Sequence, residues 1–132
     1  MDTTTPRPTE IKLHQKSRVL EIAFADGKTF SLPCEFLRVY SPSAEVRGHG
    51  PGQEVLQMGK KTIEITAIEP VGTYAIHPQF SDGHNTGIYS WDLLYDYGLR
   101  REKMWVHYLE RLEKAGASRV PSPSSSGRIQ NS

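Results

Sequence analysis

The sequence predicts an α+β fold: two layers, with a mainly antiparallel sheet of about five strands covered by about three helices. Three observations predict it. Short apolar runs with partial period-two alternation fill the first quarter of the chain, and Asp26-Gly27 sits between two of them as a tight hairpin signal. A second alternating run lies at residues 62–76. An amphipathic helical stretch then carries Met104, Trp105, Tyr108, Leu109 and Leu112 at helical spacing.

The elements follow in order. Ile11 and Leu13 form a first run, and Val19, Leu20, Ile22 and Phe24 a second, with Gln15-Lys16-Ser17 between them. Thr29, Phe30 and Leu32 complete a third strand, giving an antiparallel meander. Pro33 suits the first position of a helix, where its missing N–H is no loss, so Cys34 to Arg38 reads as a short helix burying Phe36 and Leu37. Residues 41–59 read as a long loop rich in glycine and polar residues. Thr62 to Ile68 alternates as a half-buried strand, and Val71 to Ile76 is its partner, ended by His77-Pro78. Ser90 caps a helix that stops at Gly98, and residues 100–115 form the last helix.

The domain organisation expected is a flexible segment at 1–9, one domain at 10–116, and a Ser- and Pro-rich tail at 117–132 too poor in apolar residues to fold. A chain of 132 residues has room for a real core. A formal net charge of +1 gives no field to draw nucleic acid or an anionic membrane. No apolar run approaches membrane-spanning length, and the first residues lack the basic start and apolar stretch of a signal peptide. Cys34 is the only cysteine and cannot form an internal disulfide. A cytoplasmic protein is expected, with a protein partner, no cofactor, no nucleic acid and no membrane.

No intact catalytic or metal motif is present. His14, His49, His77, His84 and His107 show no zinc spacing, although His49, His77, Asp82 and His84 could gather if the long loop folded back. Cys34 near a helix start is either a nucleophile with a lowered pKa or a small packing residue, and packing is the commoner use. Asp82-Gly83 is turn chemistry before it is acid–base chemistry, and Asp92, Asp96, Glu35 and Glu45 form no constellation. Gly48-His49-Gly50-Pro51-Gly52 lacks the downstream pattern of a phosphate-binding loop. Arg38, Arg47, His49, Lys60 and Lys61 flank the loop, with Arg100 and Arg101 further on. They make either a basic rim for an anionic partner or an ordinary solvated surface. Tyr89, Trp91, Tyr95 and Tyr97 read mainly as core, with one face able to anchor a partner.

Several blocks carry a resemblance: Leu32-Pro33-x-Glu35-x-Leu37-Arg38, Ser41-Pro42-Ser43-Ala44-Glu45, Tyr74-Ala75-Ile76 before His77-Pro78, and Asp82-Gly83-His84-x-x-Gly87-Ile88-Tyr89-x-Trp91-x-Leu93-Leu94. Over residues 10–112 the chain resembles the gamma-butyrobetaine hydroxylase-like N-terminal domain, which in bacteria forms a small stand-alone family of unknown function. In the carnitine-synthesis dioxygenases that domain binds a structural zinc and precedes a catalytic domain that has no counterpart here, so dioxygenase activity is not implied. The resemblance places Ser41, Ser43 and Val46 at three cysteine positions and His84 at the histidine position. The implied site is therefore degenerate, with hydroxyls and a methyl-bearing side chain where thiolates would stand. A related domain accompanies iron–sulfur cluster carrier ATPases. The two readings this implies are a non-catalytic binding or accessory domain, with Arg38, Arg47, His49 and His84 as interaction residues, and a metal-binding or cofactor-assembly accessory protein. A third, a small enzyme acting through Cys34, rests on the residues alone.

Overall fold

The computed structural model describes residues 5–48 and 54–121. Strands β1 (Pro8–His14), β2 (Val19–Phe24) and β3 (Thr29–Pro33) form an antiparallel meander in the order β1-β2-β3. On β2 the alternation does what it predicts: Leu20, Ile22 and Phe24 are buried. Gly27 takes the positive φ that the β2–β3 turn requires, and Asp26 Oδ1 accepts the Lys28 N–H. Helix α1 (Cys34–Val39) follows without a loop, and Pro33 is its cap rather than its first helical residue.

A four-residue helix, α2 (Ala44–Arg47), lies inside the stretch expected to be loop. Strands β4 (Ile65–Val71), β5 (Ala75–Phe80) and β6 (Tyr89–Ser90) form a second antiparallel sheet with β5 in the middle. The single sheet of about five strands is thus corrected to two sheets of three. Alternation tells which face of a strand is buried but not which edges pair, and α1, α2 and residues 54–64 separate the two sheets along the chain. Pro78 does not end its strand; it lies within β5, opposite Ile68. Both sheets feed one core, in which Leu20, Ile22 and Leu32 meet Ile65, Ile76 and Tyr89.

The two closing helices are one, α3 (Trp91–Ala115), capped by Ser90 Oγ accepting the Leu93 N–H at 3.1 Å and ended by Gly116 in the left-handed region. Gly98 is no stop. It is the point where α3 presses on β3: a Cβ there would stand 2.3 Å from the Phe30 ring. Further along, Tyr108 and Leu112 pack with Val39 in a second, smaller cluster on α1, while Leu109 faces solvent. Residues 117–121, assigned by composition to the tail, run against the body: the Gly59 and Lys61 N–H groups donate to the carbonyls of Ser118 and Arg119, each at 2.9 Å.

Candidate functional site

Four segments meet beside the second sheet: the end of α1, the start of α2, Lys60, and the turn that follows β5. The turn is built by backbone. Phe80 N–H donates to His84 O and Gly83 N–H to Phe80 O, each at 3.0 Å, with Gly83 at φ +89°. Asp82 Oδ1 accepts the His84 N–H at 3.1 Å, which fixes the imidazole's base. Gly87 then lets the chain pass close to α1, since a Cβ there would lie 2.5 Å from Ser41 Oγ.

The three hydroxyls and the imidazole close on one another. Ser41 Oγ lies 2.8 Å from His84 Nε2 and accepts the Ser43 N–H at 3.2 Å. Ser43 Oγ caps α2 by accepting the Glu45 N–H at 3.1 Å, and it shares a 2.7 Å hydrogen bond with Thr86 Oγ1. Glu45 reaches back to place Oε1 3.0 Å from His84 Nδ1. The carboxylate fixes the ring proton on Nδ1, so Nε2 accepts from the Ser41 hydroxyl. Burial, then the Arg38 charge, pushes the His84 pKa below its ordinary value against the opposing pull of Glu45 and Asp82. The imidazole is therefore neutral.

Beside this relay lies a charge cluster. Asp82 Oδ2 accepts from Arg38 Nε at 2.9 Å and from Lys60 Nζ at 2.7 Å. Burial alone would raise the Asp82 carboxyl. Lys60, the His84 amide and Arg38 instead hold it down at about 2. Arg38 Nη1 is buried and finds no hydrogen-bond partner among the described residues.

Ser41, His84 and Glu45 stand in the order of a hydrolase relay, hydroxyl to imidazole to carboxylate. The exposure runs the wrong way for that chemistry. Ser41 is 1 % exposed, whereas the Glu45 side chain is 65 % exposed, so the hydroxyl is sealed and the acid is the part in water. The arrangement can brace a turn; it offers a substrate no route to Ser41.

Zinc does not fit these residues. Of the implied ligand positions, Ser41, Ser43 and His84 converge, but they supply two hydroxyls and one imidazole whose nitrogens are both engaged, and Val46 supplies no donor. Among the described residues no group of three or more His, Cys, Asp or Glu side chains could hold a metal ion. His77 hydrogen-bonds the Asn85 carbonyl and faces Glu69 instead of joining His84. His49 lies outside the described residues. Cys34 is buried, and burial raises its pKa, which keeps the thiol protonated.

Among the described candidate interaction residues, Arg38 and His84 are buried, each paired with a carboxylate, and Arg47 is exposed. Tyr89, Tyr95 and Tyr97 direct their hydroxyls to Leu37 O, Asp26 and Tyr40 O, and Trp91 its indole N–H to Thr73 O. All four serve the fold. Sequence reasoning missed Thr86 and gave Gly87 no role beyond its place in the family block. A polar residue followed by glycine, just beyond a turn, was the available signal.

The family model for gamma-butyrobetaine hydroxylase-like, N-terminal, matches residues 11–95. The chain belongs to that family. Two proteins solved by NMR are similar to this gamma-butyrobetaine hydroxylase-like domain over nearly their whole length. One is 41% identical with TM-score 0.79, covering 96% of this chain and all of the other. The second is 53% identical with TM-score 0.78, covering 92% and 90%. A crystal structure of a DUF971 protein of unknown function from Acidithiobacillus ferrooxidans is 41% identical with TM-score 0.56, covering 67% of this chain and 88% of that one. No curated protein matches the sequence.

Proposed function

We propose that this gamma-butyrobetaine hydroxylase-like domain is a non-catalytic binding or accessory module that engages a protein partner in the cytoplasm. One observation carries the reading. Every group at the degenerate metal position that could do chemistry is turned inward and paired, while the outer side of the same cluster stays open. Glu45 and Arg47 are exposed on α2, and Val55, whose N–H donates to Val46 O at 2.7 Å, is 51 % exposed beside them. An exposed apolar side chain bonded through its backbone to a helix that carries exposed charges of both signs suits recognition by a complementary surface. The brace of Ser41, Ser43 and His84 would then hold the α2 face in place, the role a structural metal plays elsewhere.

The test compares wild-type protein with an Arg47→Glu/Val55→Asp variant in affinity capture from native cytosol, after equal melting temperatures establish that both fold. A wild-type partner absent from the variant's capture supports the α2 face; identical captures overturn it. Metal analysis of untagged protein should find far less than stoichiometric zinc or iron. A full equivalent that disappears in His84→Ala would favour the metal-dependent reading instead.

A further inference from the structure

A second polar constellation lies away from the His84 cluster and is unused by the function proposed above. Glu35, on α1, is 7 % exposed, deep for a carboxylate. It receives a two-pronged ion pair: Arg119 Nε to Oε2 at 2.9 Å and Nη2 to Oε1 at 2.8 Å. The same guanidinium lies 5.2 Å from the centroid of the Trp105 ring on α3. A carboxylate matched to the planar fork, with an aromatic face alongside, is the environment that distinguishes arginine from lysine.

The parts of this site come from two different sources. Glu35, Trp105 and the two donating amides of Gly59 and Lys61 belong to the body, fixed by α1, α3 and the segment before β4. The occupant belongs to the strap of residues 117–121. Besides Arg119, the strap is held by Ala117 packing on the Val39–Tyr108–Leu112 cluster and through the main chain, by its Ser118 and Arg119 carbonyls and the Ala117 N–H on Leu112 O, and Val120 beyond it is exposed. Pro33, Phe36 and Arg101 line a small cavity beside the ion pair, together with Glu35, Trp105 and Arg119.

From this geometry we infer that Glu35, Trp105 and the Gly59–Lys61 backbone form a recognition site for an arginine carried on an extended peptide segment, which this chain fills with its own Arg119. A partner segment that presents an arginine and two carbonyls competes with the strap for the same cup. The site is separate from the α2 surface, and the two stand or fall independently.

The test uses the full chain carrying Arg119→Ala and the tetrapeptide acetyl-Ser-Arg-Val-Pro-amide, followed by NMR at the Trp105 indole N–H. The Trp91 indole, bonded to Thr73 O, serves as the internal control. The peptide should shift the Trp105 signal saturably in Arg119→Ala, with at least tenfold weaker apparent binding to wild type, where the strap competes. The lysine analogue should bind at least fivefold more weakly, and adding Glu35→Gln should abolish the response. No saturable shift, equal binding to wild type, or equal binding of the lysine peptide overturns the proposal. Should Arg119→Ala not fold, Arg119→Lys keeps the charge while losing the fork. Exchange of the strap for the arginine peptide in that variant supports the site, and resistance of that variant to the peptide overturns it.

Discussion

The two ends of this domain are held by opposite means. Where the first sheet meets α3, Phe24, Phe30 and Tyr95 pack ring edge against ring face with centroids 5.1–5.9 Å apart, and Gly98 brings the helix backbone down onto Phe30. Where the second sheet meets α1 and α2, the contact is directional: one carboxylate, Asp82, serves a guanidinium, an ammonium and an amide, and one imidazole serves a hydroxyl and a carboxylate. The aromatic end depends on volume and tolerates small losses of polarity. The polar end depends on charge balance and on paired hydrogen bonds. Buried polar groups persist where they satisfy one another, and the His84 cluster shows how this is done.

The largest effect expected is at the charge cluster. Asp82→Ala leaves Arg38 and Lys60 facing each other without a counter-charge and removes the cap on the His84 amide. It should cost about 3 kcal/mol in urea unfolding. A cost below about 1 kcal/mol would mean that the cluster behaves as a surface pair. The same carboxyl gives an acid limb. Its folded pKa of about 2 is below the ordinary 3.8, so its stabilisation is present above 3.8 and is lost as pH falls towards about 2.

Next comes the aromatic end. Gly98→Ala adds a methyl group at 2.3 Å from Phe30, and overpacking of that kind costs about 1–3 kcal/mol. The gain in helix propensity, about 1 kcal/mol, offsets only part of it. Phe30→Leu in the same chain should recover stability, because it moves the ring out of the way. If Gly98→Ala is stabilising, the close approach of α3 to β3 is wrong.

How much of this was legible in the sequence depends on the range of each cause. The β1–β3 meander and the Ser90 cap are set by neighbours a few residues apart, and they appear as read. The chain does turn at Asp26-Gly27, but only Gly27 takes a positive φ, so it is not the two-residue type I′ turn that the dipeptide suggests. Gly98 looked like a stop because its partner, Phe30, is distant in sequence, and a close helix approach leaves the same local signal as a C-cap. The family resemblance located Ser41, Ser43 and His84, and the structure joins them. That Arg38 was buried and tied to Asp82 could not be read locally, since position 38 is charged and follows an apolar run much as a surface residue would. Arg119 was hidden for a related reason: its segment has the composition of a tail, and only the buried Glu35, far away in the chain, gives it a place.

A smaller effect separates hydroxyl from imidazole within the polar end. Ser41→Ala removes the donor to His84 Nε2 and the acceptor for the Ser43 N–H, and should cost about 1–2 kcal/mol by thermal or urea unfolding. Thr86→Val removes a more exposed partner of Ser43 and should cost less. Were the two equal, the relay would carry no special share of the stability at this end of the domain.

The smallest effect is the pH dependence of the imidazole, and its sign is fixed by geometry. The groups facing His84 are Glu45 from α2, Arg38 from α1 and Asp82 from its own turn. Burial and Arg38 outweigh the two carboxylates, so the folded pKa is below 6.5 while the unfolded chain titrates at its ordinary value. Below pH 6.5 the unfolded state takes up the proton more readily than the folded one. The stabilisation held at neutral pH is therefore lost as pH falls through the folded pKa. His84→Gln removes this titration but leaves the other histidines in place, so their effects cancel between the two proteins. The melting-temperature gap between wild type and His84→Gln should narrow by a few degrees from pH 7.5 to pH 5. A gap that widens on acidification would mean that Glu45 dominates and that the imidazole is protonated in the fold. The brace would then be an ion pair, and the His84 end would resemble the Asp82 cluster beside it.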